Sequence, residues 1–161
     1  MQMKVDGIDE FLADITKVFD DAELIYRRCA YEGAKVLADE VKKGIEGLKV
    51  DNGWGTQEHP LNGVNGYVKA DIRDGMGISK IETEGGLTKV SVGFSGYSSR
   101  VTSTKRWTTG TPIQMLARSV ESGTSFMRKQ PFVRPAINRA KKKIDEAIEK
   151  EAVNLIKERM K

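Results

Sequence analysis

Two stripes of apolar residues at helical spacing, one in each half of the chain, set the tightest limit on its fold. In the first, Tyr26, Ala30, Ala34, Leu37, Val41, Ile45 and Leu48 recur at intervals of three and four within residues 20–48. Asp20 or Asp21 can cap its start, and Gly44 and Gly47 weaken its end. In the second, residues 135–161, the stripe runs through Ile137, Ala140, Ile144, Ala147 with Ile148, Glu151 with Ala152, and Leu155. Each helix is polar on its other side, so each needs a cover, and the first stripe suits packing on a sheet. A shorter helix precedes them over residues 7–19, with Ile8, Phe11, Leu12, Ile15 and Phe19 on one face and Val18 beside it.

The middle of the chain supplies that sheet. "YVKADIRDGMGISKIETEGGLTKVSVGFSGY" reads as a short turn followed by two strands. "MGISKIE" alternates imperfectly through Met76, Ile78 and Ile81, whereas "LTKVSVGF" places Leu87, Val90, Val92 and Phe94 on one face. "TEGG" between them has the residues of a hairpin turn. Neither strand is apolar on both faces, so an antiparallel sheet with one covered face is expected. Thr111 and Pro112 mark a further helix start, "PIQMLARSVESG", which ends at Gly123 as a left-handed stop. With 161 residues and no linker, the chain reads as one α+β domain, residues 1–161, with protruding loops.

Two segments lack periodicity. Residues 49–68 are rich in Gly and Asn, and Trp54 there reads as folded back onto the domain, the alternative being burial against a partner subunit. Residues 98–111 are polar, threonine-rich and basic, with Arg100, Lys105, Arg106 and Trp107. That grouping could touch phosphate and stack on a base, or serve as a subunit contact.

Catalysis is not indicated. His59 sits in a polar loop without partners, and Cys29, the one cysteine, lies in a helical pattern as a small buried hydrophobe. Asp71, Asp74, Glu82 and Glu84 come without a nucleophile motif or a phosphate-cradling glycine loop, and read as a solvated edge. No cofactor or metal is expected. The surplus of Lys and Arg over Asp and Glu, a formal +4, is mildly basic and spread over helix faces. Lys141, Lys142 and Lys143 precede Asp145, Glu146 and Glu149 at distances that allow ion pairs on the wet face of the last helix. No apolar run approaches the ~20 residues of a membrane span, and the N-terminal residues lack the apolar core of a secretory signal, so a cytoplasmic location is expected when the chain is made.

Pro131 and Pro135 stand four residues apart at the doorway of the last helix. Pro135, in its first turn, sacrifices no hydrogen bond, and Pro131 biases Gln130 toward extended backbone. Phe132 then becomes the natural plug of a stiff corner, and Gly123 allows the reversal before it. "VESGT" followed by "QPFVRPA" resembles the E-F-G-T … P-F-L-R-P-A signature of siphophage tail-completion, or head–tail joining, proteins. "EGAKVLADEVKKGI", "IRDGMGISKI" and "VSVGF" fall in the order that resemblance implies, although Ser122 stands where an aromatic is common.

The resemblance implies an α+β domain with an antiparallel sheet packed by long N- and C-terminal helices. It also implies a non-enzymatic virion protein that assembles as a homo-oligomeric, hexameric ring; free in solution the chain is expected to be a monomer, since its exposed patterns show no coiled-coil seam. The ring would lie at the head-proximal end of the tail, between neck or connector proteins and the tail tube, with DNA passing through its lumen and with assembly in the host cytoplasm. Glu121, Gly123 and Thr124 would shape the turn, Glu121 pairing with Arg134 or with backbone N–H groups. Pro131, Phe132, Arg134 and Pro135 would lock the final helix. Partner contacts are expected at Trp54, Arg100, Lys105, Arg106 and Trp107. The runner-up reading is a small basic nucleic-acid-binding protein.

Overall fold

The computed structural model describes residues 8–101 and 107–160, with side chains from residue 12 onward. Helices α1 (Ile8–Asp20) and α2 (Ala22–Glu46) are followed by an irregular loop and α3 (Gly66–Gly75). Strands β1 (Met76–Ile78), β2 (Glu82–Glu84), β3 (Leu87–Lys89) and β4 (Val92–Phe94) come next. Helices α4 (Ile113–Ser122) and α5 (Val133–Arg159) complete the chain. The architecture is α+β, with the two long helices packed on each other and the antiparallel strands lying against α2.

α2 and α5 run antiparallel. Gly33 meets Ile144 and Ile148, Glu40 meets Arg139 and Lys143, and Gly44 meets Phe132, so rising numbers on one helix face falling numbers on the other. The buried side of α2 is Ile25, Cys29, Ala34, Ala38, Val41 and Ile45. Tyr26, placed on the stripe by its spacing, is instead 60% exposed. The reason is that α2 is covered twice, by α5 along one side and by the strands along another, so no single line of residues describes its inner arc. Ala30, Ala34 and Leu37 look into the groove shared with the strands. On α5 the first inward position is Ala136, fully buried, while Ile137 is exposed.

The short helix α1 also departs from its expected face. Val18 packs against the cluster of Ile25, Cys29 and Leu155, whereas Leu12 and Phe19 are exposed; the side chains of Ile8 and Phe11 lie outside the described residues. Asp21 occupies the cap position of α2 but makes no capping bond. Its carboxylate pairs with Arg159 at the far end of α5, 3.1 Å away.

The expected turn before the strands is a ten-residue helix, α3. Asn65 caps it, its side chain accepting from the Tyr67 N–H. The strands form one hairpin in two pieces. Met76, Gly77 and Ile78 face Phe94, Gly93 and Val92, and then Glu82, Thr83 and Glu84 face Lys89, Thr88 and Leu87. Between the pieces, residues 79–81 oppose residues 90–91, one extra residue on the first strand. Such a bulge flips the side-chain phase. It lets Met76, Ile78 and Ile81 share a face despite their uneven spacing, opposite Thr88, Val90, Val92 and Phe94, all half-buried. Leu87 falls on the other face and is exposed. The turn itself uses Gly85 and Gly86, both at positive φ.

The core joins these elements through Val41, Ile45, Val64, Ile72, Val120 and Phe132. At α4, Pro112 itself stands at the N-cap, with no side-chain capping bond from Thr111. Gly123 ends the helix at φ 79 and ψ 170, an extended positive-φ conformation and not the left-handed helical one expected.

Candidate functional site

The turn from α4 into α5, which carries the proline pair, closes around one carboxylate. Glu121 Oε2 accepts the N–H groups of Phe132 at 2.7 Å and Val133 at 2.9 Å, and Oε1 accepts that of Arg134 at 3.1 Å. These are donors that a helix start leaves without intrahelical partners. The next residue is Pro135, which has no N–H, and the Ala136 N–H already reaches the Phe132 carbonyl. Every backbone donor of the first turn is therefore matched or absent. A carboxylate at this place also meets the positive end of the helix dipole. Of the two partners expected for Glu121, the geometry gives it the backbone.

Behind Glu121 the chain is pinned at several points. The Gln130 N–H donates to the Val120 carbonyl at 2.8 Å, and Thr124 and Met127 bond to each other across a tight turn. A Cβ at Gly123 would stand 2.8 Å from the Lys129 nitrogen, so the position needs glycine for space as well as for its φ. Phe132 is buried, its ring edge-on to Phe94 with centroids 6.0 Å apart. α2 comes so close that a Cβ at Gly44 would lie 2.8 Å from the Phe132 carbonyl oxygen. Gly44 is thus a point of helix contact more than a weak helix end.

The same turn anchors the long loop of residues 49–65. The Leu61 N–H donates to the Phe126 carbonyl and the Arg128 N–H to the Leu61 carbonyl, both at 2.9 Å. Gln130 grips Lys49 with both ends of its amide: Oε1 accepts the Lys49 N–H at 2.8 Å, and Nε2 donates to the Lys49 carbonyl at 3.4 Å. Asp51 accepts the N–H groups of Gly53 and Asn62. Trp54 rides on this ordered backbone and is 93% exposed, so it does not fold back onto the domain. Gly55 lies against the Phe126 carbonyl, which brings Trp54 next in chain to the segment of Phe126, itself half exposed. Phe126 was not singled out by the sequence; a large apolar residue inside the polar run "SGTSFMRK" was the available signal.

The basic loop is distributed differently. The Arg100 guanidinium lies over the Tyr67 ring, 4.4 Å from its centroid. Trp107 is half-buried, and Lys105 and Arg106 lie outside the described residues. Asp71, buried in α3, accepts the Ser98 hydroxyl at 2.9 Å and the Ser99 N–H at 3.0 Å, which fixes the start of that loop. Asp74 pairs with Arg73, and Glu82 and Glu84 stand exposed on β2. The four acids do not converge. Among the described residues no group of three or more His, Cys, Asp or Glu side chains is placed to hold a metal. No helix among them is long and apolar enough to cross a membrane.

A second charged cluster went unseen in the sequence. Glu40, buried on α2, is met by Lys143 Nζ at 2.8 Å, Arg139 Nε at 3.0 Å and Lys43 Nζ at 3.2 Å. The three cations hold its carboxyl down to about 2. Lys143 was expected to pair along its own helix; it crosses to α2 because Glu40 is buried there and needs a counter-charge. Lys142 does pair with Glu146, at 3.8 Å. The Cys29 thiol is pushed up by burial, with the charge of Glu151 adding to it. Comparison with protein-family models, curated proteins and solved structures finds none that matches.

Proposed function

We propose that the chain is a non-enzymatic structural protein of a phage virion, a ring component at the head-proximal end of the tail that joins it to the neck. The observation that carries this reading is Trp54. A tryptophan that is 93% exposed, on a loop whose backbone is tied down at Lys49, Asp51 and Leu61, is an anchor held ready for a partner. Phe126, also exposed, stands in the segment whose carbonyl meets Gly55, the residue after Trp54.

The resemblance to tail-completion proteins agrees with this. Its most specific stretch, residues 120–136, is the stretch in which Glu121, Gly123 and Phe132 each have a distinct structural task. In a ring the Trp54 surface of one copy would meet a different surface of the next, the head-to-tail contact that closes cyclic assemblies. Six copies, monomeric until assembly, would sit between connector and tube.

Deleting the reading frame from the phage or prophage that encodes it tests the proposal. Electron microscopy of the lysate should show DNA-filled heads and finished tails lying apart. Complete, infectious particles in that lysate would overturn it.

A further inference from the structure

We infer that the corner between the end of α2 and the start of α5 is a binding surface for the phosphate backbone of double-stranded DNA. Two shallow grooves flank the Pro131–Pro135 ridge. Lys43, Lys49 and Arg139 line the first together with Gln130 and the two prolines, and no carboxylate lines it. Lys129 and Arg134 line the second, beside Glu121. Lys143 joins them through Glu40. Six cations thus stand against two carboxylates, Glu40 and Glu121, a surplus of four. The formal charge of the whole chain is also +4, so this corner carries a surplus as large as that of the entire sequence.

The two carboxylates are already committed. Glu40 is shared among three cations, and Glu121 is occupied by three backbone N–H groups. The Lys69 Nζ donates to the carbonyl of Glu46, the last residue of α2, at 2.7 Å and to that of Leu48 just beyond it at 2.8 Å. Along α5 the cations from Arg134 to Lys143 extend over ~13 Å at the helical rise. A surplus of four charges would neutralise about four phosphates. A protein partner fits the corner less well, because protein interfaces centre on exposed aromatic groups and are depleted in lysine. The aromatic residue at this corner, Phe132, is buried. Neither Trp54 nor Phe126 lines these grooves, and the charge reversals below leave both in place, so failure of this inference and failure of the joining role are told apart.

Fluorescence anisotropy of the full-length protein with a labelled duplex of mixed sequence tests it. Binding should weaken linearly with log salt, at a slope of roughly −3 to −4 for four phosphates. The Lys49→Glu/Arg134→Glu variant reverses two exposed cations whose side chains make no hydrogen bond or ion pair among the described residues, and circular dichroism should find it folded. It should lose at least tenfold in affinity at low salt and lower the slope by about two. Lys80→Glu/Lys89→Glu, the same charge change on the hairpin, should keep most of the binding. Equal losses in both variants would mean attraction to net charge alone and would overturn the assignment, as would wild-type binding by the corner variant. Polyglutamate competing as well as duplex DNA would give the surface to an acidic protein instead.

Discussion

Glu121 gathers three backbone donors onto one side chain, so a single truncation exposes how much the start of α5 depends on it. Glu121→Ala leaves those N–H groups to whatever water can reach a half-buried corner. A lost cap of this kind costs about 2 kcal/mol, since the acceptor is charged. In a domain of this size that lowers the melting temperature by ~4–8 °C. Glu121→Gln keeps one acceptor oxygen and should lose roughly half as much, which calorimetry on the two variants would resolve. Gly123→Ala should be as harmful for a different reason, because it combines a positive φ with a Cβ 2.8 Å from the Lys129 nitrogen. At this scale the sequence was informative. The proline pair, the glycine and the acid each pointed to a locked corner; the choice of backbone over Arg134 for Glu121, and the extended conformation of Gly123, needed coordinates. Gly44 was opaque, because a glycine that weakens a helix and a glycine that admits a neighbour look the same in sequence.

The pairing of α2 with α5 is where element-level arguments apply. Gly44→Ala should gain about 1 kcal/mol in helix propensity but drive a methyl group into the Phe132 carbonyl, with a net loss of about 1–2 kcal/mol. Gly47→Ala, whose Cβ would meet nothing closer than 3.5 Å, should be neutral or stabilising. Urea melts of the two variants would show opposite signs. Glu40 ties the same helices electrostatically. Its folded pKa of about 2 lies below the ordinary value of 4.5. The stability that its ionised form contributes is therefore complete above pH 4.5 and is lost as pH falls toward 2. Wild-type protein should show this acid-dependent loss, and Glu40→Gln, less stable at neutral pH, should show a shallower dependence across that window.

Elements were legible where the periodicity was long, as in α2 and α5, or where a short helix had clear bounds, as Pro112 and Gly123 give α4, and were misread where neither held. α3 has ten residues, too few for a long apolar repeat, so Asn65 was the clearest clue to it. The uneven run Met76, Ile78, Ile81 was itself the trace of the bulge. The bond from Lys143 to Glu40 spans 103 residues of sequence and could not be read from helix spacing.

At the scale of the whole molecule, stability and assembly should separate. Trp54 contributes little to the folded chain, being almost wholly exposed, so Trp54→Ser should change the melting temperature by no more than about 2 °C. The sequence left two readings for Trp54, and the one its surroundings favoured, folding back onto the domain, is not what the structure shows. Loop composition does not say whether a side chain turns inward, and Phe126 joins it only because residues 49–65 are bonded to the turn before α5. The most direct test of the account is an add-back measurement. Purified protein is mixed with a lysate of the deletion mutant, and joined particles are counted by electron microscopy and by infectivity. The account predicts that wild-type protein restores joined, infectious particles and that an equally folded Trp54→Ser/Phe126→Ser variant does not. Full rescue by that variant, or joined particles without any added protein, would contradict it.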